Sequence, residues 1–201
     1  MIAILDYDAG NIKSVEKAVE HLGEKACITR DRDIIMSSDK VILPGVGNFG
    51  DAMNKLQEYR LCDVIYDVVD SGKPFLGICL GLQLLYKESE ESPGTSGLGI
   101  LDGKIIRIPD GVGIKVPHIG WNSLKINKKA RLFKGIPENS YVYFVHSYYL
   151  KAANEEDVAA STCYSVNIHA SVEHGNVFAC QFHPEKSSEV GLKILKNFIE
   201  L

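Results

Sequence analysis

Hydrophobic positions follow two different periods along the first half of the chain, and together they predict strands that are each followed by a helix. Met1 to Asp6 is a short apolar run typical of a buried parallel strand, and the turn-forming residues Asp8 to Asn11 come after it. Apolar side chains then recur at helical spacing until Gly23. The first unit is therefore a strand, a loop and a helix.

The same unit occurs twice more. A second apolar strand, KVIL, leads into the glycine-rich loop at 44–50 (PGVGNFG), and helical spacing covers 51–72 with a predicted break near Arg60. A third strand is expected at 75–78 and a helix at 80–87. Strands that alternate with helices indicate a parallel sheet with helices on both faces.

The pattern changes after Glu88. ESEESPGTSG is typical of a polar loop, and the chain beyond it contains mainly short strands before a final helix at 187–201. The strands are expected at 105–108, 141–145, 158–163, 168–172 and 177–182. Because no linker is long enough to separate two domains, we predict one mixed α/β domain over 1–201, with additional antiparallel strands in its second half.

Composition and net charge exclude some classes of protein and of ligand. Hydrophobic residues make up 45% of the chain and charged residues 24%, as in ordinary folded proteins. A net charge of −4, without a basic stripe that contains aromatic residues, argues against nucleic acid as a ligand. The densest basic run, KINKKAR at 125–131, is interpreted as a solvated loop, with a docking surface or an anion site as alternatives.

The compartment is predicted from what the sequence lacks. No apolar segment approaches the roughly 18 residues of a membrane span, and the first residues do not resemble a signal peptide. The five cysteines form no CxxC pair, and no His or Cys spacing matches a zinc site. We therefore expect a cytoplasmic protein with reduced thiols, no metal, no cofactor and no membrane contact.

Cys79 interrupts the apolar run PFLGICLGLQLLY at the junction between a predicted strand and a predicted helix. Gly77 and Gly81 flank it as in a nucleophile elbow, where a sharp turn leaves no room for side chains on either side. The helix amino terminus is expected to lower the pKa of the thiol. The backbone N–H of Leu80 would face an oxyanion. An inert buried core cysteine remains the alternative on spacing alone.

His183 and Glu185 follow another apolar strand in VFACQFHPE. Residues two apart at a strand end project to the same side, and Pro184 stiffens the turn between them. A histidine oriented by a carboxylate can accept a thiol proton and return it to a leaving amine. Together with Cys79, these residues predict acyl transfer.

The loop PGVGNF at 44–49 allows two readings. Its glycines would let the backbone approach a ligand, either to cradle a phosphate or to supply N–H groups to an oxyanion. Neither GxxxxGK[ST] nor GxGxxG is present, which makes the phosphate interpretation weaker. We favour an oxyanion loop with donors near Val46 and Gly47.

Four motifs in this order, PGVGNF, GICLGLQLL, YFVHSY and QFHPEKS, resemble those of the class I (triad) glutamine amidotransferases, and the resemblance covers the whole chain. DYDAGNIKSV, PHIGWN and HPEKSS make it most similar to the glutaminase subunits of histidine biosynthesis. The resemblance implies a flavodoxin-like domain in which Cys79, His183 and Glu185 hydrolyse glutamine to glutamate and ammonia. It also implies that ammonia passes to a separate (β/α)8-barrel cyclase subunit, which forms imidazole glycerol phosphate and an aminoimidazole carboxamide ribotide.

The resemblance further implies two groups of residues around that site. The glutamine pocket would be lined by Gly47, Gln83, His146, Ser147 and Tyr148. The surface facing the cyclase would include Gly10, Asn11, His118, Trp121 and Lys186. Each residue also has a structural reading, for example an exposed helix position for Gln83, an N-cap for Asn11 and a core aromatic for Trp121.

One departure from many amidotransferases concerns the oxyanion loop, which reads PGVG where they carry PGG. Our hypothesis is that a peptide near Gly45 and Val46 rests with its carbonyl toward the site and rotates when the cyclase binds.

Three other functions remain possible on the sequence. They are an amidotransferase that serves a chorismate, nucleotide or sugar synthase, a partner-independent cysteine hydrolase, and a non-catalytic binding module.

Overall fold

A computed structural model describes residues 1–201 as thirteen strands, six helices and two short 3₁₀ turns. The strands are β1 Ile2–Leu5, β2 Ala26–Thr29, β3 Lys40–Leu43, β4 Phe75–Ile78, β5 Tyr86–Ser89, β6 Leu101–Arg107, β7 His118–Ser123, β8 Lys125–Ile126, β9 Tyr141–His146, β10 Tyr148–Ala152, β11 Val158–Tyr164, β12 Val166–His174 and β13 Val177–Cys180. The helices are α1 Ile12–His21, α2 Arg32–Ser37, α3 Phe49–Glu58, α4 Leu61–Asp70, α5 Leu80–Leu84 and α6 Ser188–Ile199. The 3₁₀ turns are Glu155–Asp157 and Pro184–Lys186.

Eleven strands form one sheet, whose main path runs β2-β1-β3-β4-β13-β12-β10-β6-β5, with β11 and β8 paired beyond β12. The first five strands of this path are mutually parallel. Antiparallel pairing begins between β13 and β12, and β7 pairs with β9 in a separate two-stranded sheet. The predicted fold class, a mostly parallel central sheet with antiparallel strands from the second half of the chain, is confirmed.

Two apolar cores cover the two faces of the parallel sheet because side chains alternate along each strand. In β1, Ala3 and Leu5 belong to the core that α2, α3 and α4 complete. Ile2 and Ile4 point the other way, into the core that α1 and α6 complete. Helices therefore lie on both faces, as the sequence predicts.

Several local predictions differ from the structure. The break near Arg60 is confirmed, since this residue has φ 55° between α3 and α4. The helix predicted at 80–87 is wrong beyond Leu84, because the chain turns into β5, which pairs with β6. In the basic run at 125–131, the first two residues form β8 rather than loop.

Besides β5, five short helices and strands have no counterpart in the sequence predictions. They are β2, α2, β7, β8 and β10. Helix α2 has only six residues and begins at a cap in which the Asp31 carboxylate accepts from the N–H groups of Asp33 and Ile34. Strand β10 follows β9 after a single residue, Ser147, so the sequence shows no separate turn.

The chemistry predicted from the sequence gathers at one edge of the sheet. The loops that follow β1, β3, β4 and β13 all leave from the carboxyl ends of parallel strands. Such an edge is where open α/β sheets bind ligands. None of the six helices is both long and apolar enough to cross a bilayer.

Candidate active site

Cys79 lies in the turn between β4 and α5 with φ 55° and ψ −108°, a conformation that is strained for any residue except glycine. The flanking glycines make this turn possible. A Cβ on Gly81 would overlap the carbonyl oxygen of Leu43 in β3, and one on Gly77 would come within 2.7 Å of the carbonyl oxygen of Gly81. The predicted elbow geometry is therefore present, although the helix after it has only five residues.

His183 and Glu185 lie beyond β13, in and beside the 3₁₀ turn that begins at Pro184. His183 Nδ1 is 2.8 Å from Glu185 Oε1, and the two side chains are only 2% and 1% exposed. Because Nδ1–H donates to the Glu185 carboxylate, the opposite ring nitrogen, Nε2, is left to face the pocket. That nitrogen is buried and has no hydrogen-bond partner, and both His183 and Cys79 line the same pocket.

The protonation of His183 follows from its neighbours. Burial opposes the charged imidazolium, but the adjacent Cys79 sulfur and the Glu185 carboxylate favour it and raise the pKa of His183 to about 10. His183 therefore carries a proton on both nitrogens at neutral pH. This arrangement presents an acid to the nucleophile and to any group that leaves from it.

Asn11 contacts Glu185 directly. Its Nδ2 donates to Glu185 Oε1 at 2.8 Å, and its Oδ1 accepts from Ser14 Oγ. Asn11 itself has φ 63° at the start of α1 and makes no capping bond with its side chain. The loop after β1 thus helps to hold the carboxylate that orients His183.

The loop at 44–49 is oriented by one backbone hydrogen bond. The Leu80 N–H donates to the carbonyl oxygen of Gly45 at 3.3 Å. The N–H that the sequence predicts as an oxyanion donor is therefore occupied, and the Gly45 carbonyl, rather than an N–H, is turned toward Leu80. Val46 and Gly47 line the pocket, and Gly47 has φ 107°.

The pocket beside Cys79 has a volume of about 310 Å³. It brings together Cys79 and His183, two residues of the oxyanion loop, and every residue that the sequence analysis expected around glutamine. Its lining residues are Val46, Gly47, Cys79, Leu80, Gln83, Glu91, Pro117, Val145, His146, Ser147, Tyr148 and His183.

Both ring nitrogens of His146 take part in a buried hydrogen-bond network. Its Nδ1 lies 2.8 Å from the carbonyl oxygen of Tyr148 and therefore donates, so its Nε2 must accept from His118 Nδ1, 3.0 Å away. Burial lowers the pKa of His146 to about 3 and that of His118 to about 4, so both are neutral at neutral pH. His146 therefore has no ring nitrogen free to form a hydrogen bond with a substrate.

The five residues expected at a partner surface are not alike. Gly10 and Lys186 are exposed, and Trp121 is 51% exposed on β7. His118 is only 3% exposed and stacks on Tyr164 with ring centroids 3.9 Å apart. Its side chain therefore faces inward, whereas its neighbours Ile119 and Trp121 face solvent.

Two residues near the site were not predicted from the sequence. Glu91 lines the pocket, and its Oε2 accepts from the Phe49 N–H at 2.8 Å. Burial raises the pKa of its carboxyl group. Gln181 lies behind the nucleophile, with Nε2 3.8 Å from Cys79 Sγ. The sequence did not single out Glu91 as a site residue because it belongs to a polar loop with other acidic residues.

Comparison with known proteins agrees with this geometry. The chain is 51% identical to the imidazole glycerol phosphate synthase subunit HisH of Methanocaldococcus jannaschii over 201 residues, which is 100% of both chains. It is 49% identical to the protein of the same name from Methanothermobacter thermautotrophicus, covering 100% of this chain and 98% of that one.

Solved structures share the fold at low sequence identity. A glutamine amidotransferase crystal structure superposes with a TM-score of 0.78 at 22% identity, covering 99% of this chain and 97% of that one. PurLQS from Thermotoga maritima gives 0.78 at 20% identity with the same coverage. Residues 3–201 match the family described as glutamine amidotransferase class-I. With this match and full-length relatives at about half identity, the chain belongs to the class-I glutamine amidotransferases.

Proposed function

We propose that this chain is the glutaminase subunit of an imidazole glycerol phosphate synthase in histidine biosynthesis. It would hydrolyse glutamine and deliver the ammonia to a (β/α)8-barrel cyclase subunit, which forms imidazole glycerol phosphate and the aminoimidazole carboxamide ribotide. The observation that carries this proposal is the convergence of Cys79 and His183 on one pocket, with Glu185 Oε1 2.8 Å from His183 Nδ1. The full-length similarity to HisH subunits supports the choice of synthase.

In the proposed reaction, the Cys79 sulfur attacks the carboxamide carbon of glutamine. The carbon–nitrogen bond breaks as His183 Nε2 gives its proton to the departing ammonia, and a γ-glutamyl thioester remains. His183 then takes a proton from water as the resulting hydroxide attacks the thioester. The carbon–sulfur bond breaks and releases glutamate, which leaves the Cys79 thiolate beside the imidazolium, as at the start. Glu185 stabilises the imidazolium through its 2.8 Å bond to Nδ1.

Glutamine would be held at both ends of the pocket. We assign its side chain to the space between Cys79 and the backbone of Gly47, and its α-carboxylate to the N–H groups around Ser147 and Tyr148. Glu91 is the pocket carboxylate outside the triad, so it would pair with the α-ammonium group. Gln83 would border the substrate from the inner wall, where its amide is already bonded to Tyr148.

The oxyanion loop would rest in an inactive orientation. The bond from Leu80 N–H to Gly45 O occupies a donor that a tetrahedral intermediate needs, so we propose that the Gly45–Val46 peptide rotates when the cyclase docks. Val46 is in close contact with the loop after β1, since a Cβ on Gly10 would lie 2.9 Å from Val46 Cγ2. A partner that contacts Gly10 would thus act on the oxyanion loop through one side chain.

The proposed partner surface would border the pocket, because Pro117, which precedes β7, lines it. It would include Gly10, Asn11, Trp121 and Lys186, with His118 supporting β7 from inside, and it would make the enzyme a heterodimer with glutaminase and lyase activities. We propose that residues 1–201 form one amidotransferase domain. A cytoplasmic location fits the five free cysteines.

The test is a Cys79→Ala variant in complex with the cyclase. We expect glutamine-dependent synthesis to fall by about 10⁴-fold or more because the nucleophile is gone, while synthesis from ammonium salt continues at the wild-type rate. Loss of both activities, or retention of glutamine-dependent synthesis, would contradict the proposal. Product formation with a chorismate, nucleotide or sugar synthase instead of the cyclase would identify a different client.

A further inference from the structure

Gln181 lies next to the nucleophile on its buried side, yet it is not part of the triad. It follows β13 by one residue, and its exposed fraction is 0%. Its Nε2 is 3.8 Å from Cys79 Sγ, and its Oε1 is 3.0 Å from Gln83 Nε2. The side chain therefore approaches the sulfur from the protein interior, opposite the pocket.

The direction of these hydrogen bonds is determined by a backbone carbonyl. Tyr148 O can only accept, so the Gln83 amide atom 3.0 Å from it must be the nitrogen. The same nitrogen lies 3.0 Å from Gln181, which must therefore present its oxygen there. The remaining atom of the Gln181 amide is the nitrogen, and it points its N–H at the Cys79 sulfur.

The backbone around Gln181 is fixed by the sheet. Its N–H donates to Ala170 O in β12 at 2.8 Å, and the neighbouring Cys180 O accepts from the Cys79 N–H at 2.7 Å. The main chain at Cys180 and Gln181 is therefore hydrogen-bonded to a neighbouring segment on each side. This fixes the position from which the Gln181 side chain extends. Reorientation would break the bond to Gln83 and leave a buried polar group unpaired.

We propose that Gln181 is a further catalytic residue, whose side-chain N–H stabilises the Cys79 thiolate before attack and again when sulfur leaves the thioester. This proposal rests on the proposed function for its substrate. A thiolate is a stronger acceptor than a thioester sulfur, so the bond is strongest in the two states in which sulfur carries charge. A packing role alone would give no such dependence on the charge of the sulfur.

The surroundings of the sulfur make a pH measurement interpretable. The titratable groups that face it are His183, Tyr7 and Cys180, and Glu185 reaches it through His183. Burial raises the pKa of Tyr7 and that of Cys180, so neither changes charge near neutral pH. The oxyanion loop at 44–47 and helix α5 contribute no ionisable side chain.

The experiment measures the iodoacetamide alkylation rate of the Cys79 peptide against pH by mass spectrometry, using the whole chain. Gln181→Met removes the donor and keeps the side-chain length, and we expect the pH midpoint of alkylation to rise by about one unit, as for loss of one hydrogen bond to a charged group. Gln181→Glu keeps an oxygen for Gln83 but brings a carboxylate to the sulfur, and its midpoint should rise further.

The matched control is Ser171→Ala. Ser171 is also 0% exposed and donates to Ala179 O at 2.7 Å in the neighbouring strand pair, without touching Cys79. Its midpoint should equal that of the wild type even if its stability falls. Equal shifts of the alkylation midpoint in Gln181→Met and Ser171→Ala would overturn the proposal. If Gln181→Met does not fold, an unshifted midpoint in Gln181→Glu would overturn it.

Turnover in the complex gives a second readout. For Gln181→Glu we expect kcat for glutamine hydrolysis to fall about tenfold while KM changes less than about twofold, because the Gln83 contact is kept. A raised KM with unchanged kcat would mean that Gln181 only shapes the pocket. The alkylation measurement needs neither glutamine nor a cyclase, so inactivity of the wild-type complex would contradict the proposed function alone.

Discussion

The triad and the oxyanion loop lie on two sides of the same pocket and differ in their state of assembly. On the triad side, His183 and Glu185 are buried and joined at 2.8 Å, and Asn11 holds the same carboxylate oxygen. On the loop side, Val46 is 36% exposed, and the Leu80 N–H is occupied by the Gly45 carbonyl. In the proposed reaction, the triad would therefore be assembled while the oxyanion hole would not.

This difference follows from what holds each side. The triad residues leave the ends of two paired strands, β4 and β13, whose register is set by the sheet. The oxyanion loop is held toward α5 by one long backbone bond that another donor could replace. In the proposed function, a partner would control turnover by reorienting a single peptide, without moving the catalytic side chains.

The largest effect should come from Glu185→Gln on the assembled side. An amide cannot stabilise the imidazolium as a carboxylate does, so kcat for glutamine in the cyclase complex should fall by about 10²- to 10⁴-fold. Synthesis from ammonium salt serves as the control and should be unaffected. An activity within twofold of the wild type would mean that Glu185 does not orient His183.

A smaller effect is expected from Trp121→Ala on the exposed side. Trp121 is 51% exposed on β7, and loss of a buried aromatic anchor typically weakens a complex about tenfold or more. Titration calorimetry with the cyclase would measure the change. The control is Ile34→Ala, which removes an equally apolar side chain that is 38% exposed on α2 and should leave the affinity unchanged. Unchanged binding by Trp121→Ala would remove β7 from the partner surface.

A further effect concerns stability at alkaline pH rather than activity or affinity. The pKa of His183 is raised from 6.5 to about 10, so its contribution to the free energy of unfolding is full below the unfolded value and is lost as pH rises through the folded value. Stability should therefore decline between about neutral pH and pH 10. In Cys79→Ser the decline should be shallower, because the sulfur is one cause of the raised pKa. Chemical denaturation at a series of pH values would measure the decline. If the free energy of unfolding fell equally with pH in both proteins, the sulfur would not be a cause of the raised pKa.

Local patterns were sufficient to predict the elements that carry the triad. The G-x-C-x-G spacing predicted a turn without room for side chains, and Gly81 does lie against the Leu43 carbonyl. The continuous apolar run along β1 predicted a buried parallel strand, and all four of its residues are buried. The end of α5 could not be predicted, because the turn into β5 depends on pairing with β6, a strand that follows a polar loop.

The rest of the site depends on contacts between distant parts of the chain. Gln83 and Gln181 are 98 positions apart and meet only because β4 and β13 are neighbours. His118 shares its motif with the exposed Trp121, yet its side chain faces His146. Sequence spacing gives no information on such pairings, and a motif places its residues together without saying which of them face inward.

The most direct test compares glutamate release by the isolated chain with release by the complex that contains the cyclase and its nucleotide ligand. Cys79 alkylation by iodoacetamide is measured on both samples. The account predicts similar alkylation rates but glutamine hydrolysis at least about 10²-fold faster in the complex, as expected when one oxyanion donor is withheld from the isolated chain. Equal hydrolysis by the isolated chain and the complex would contradict the claim that the triad is assembled while the oxyanion hole is not.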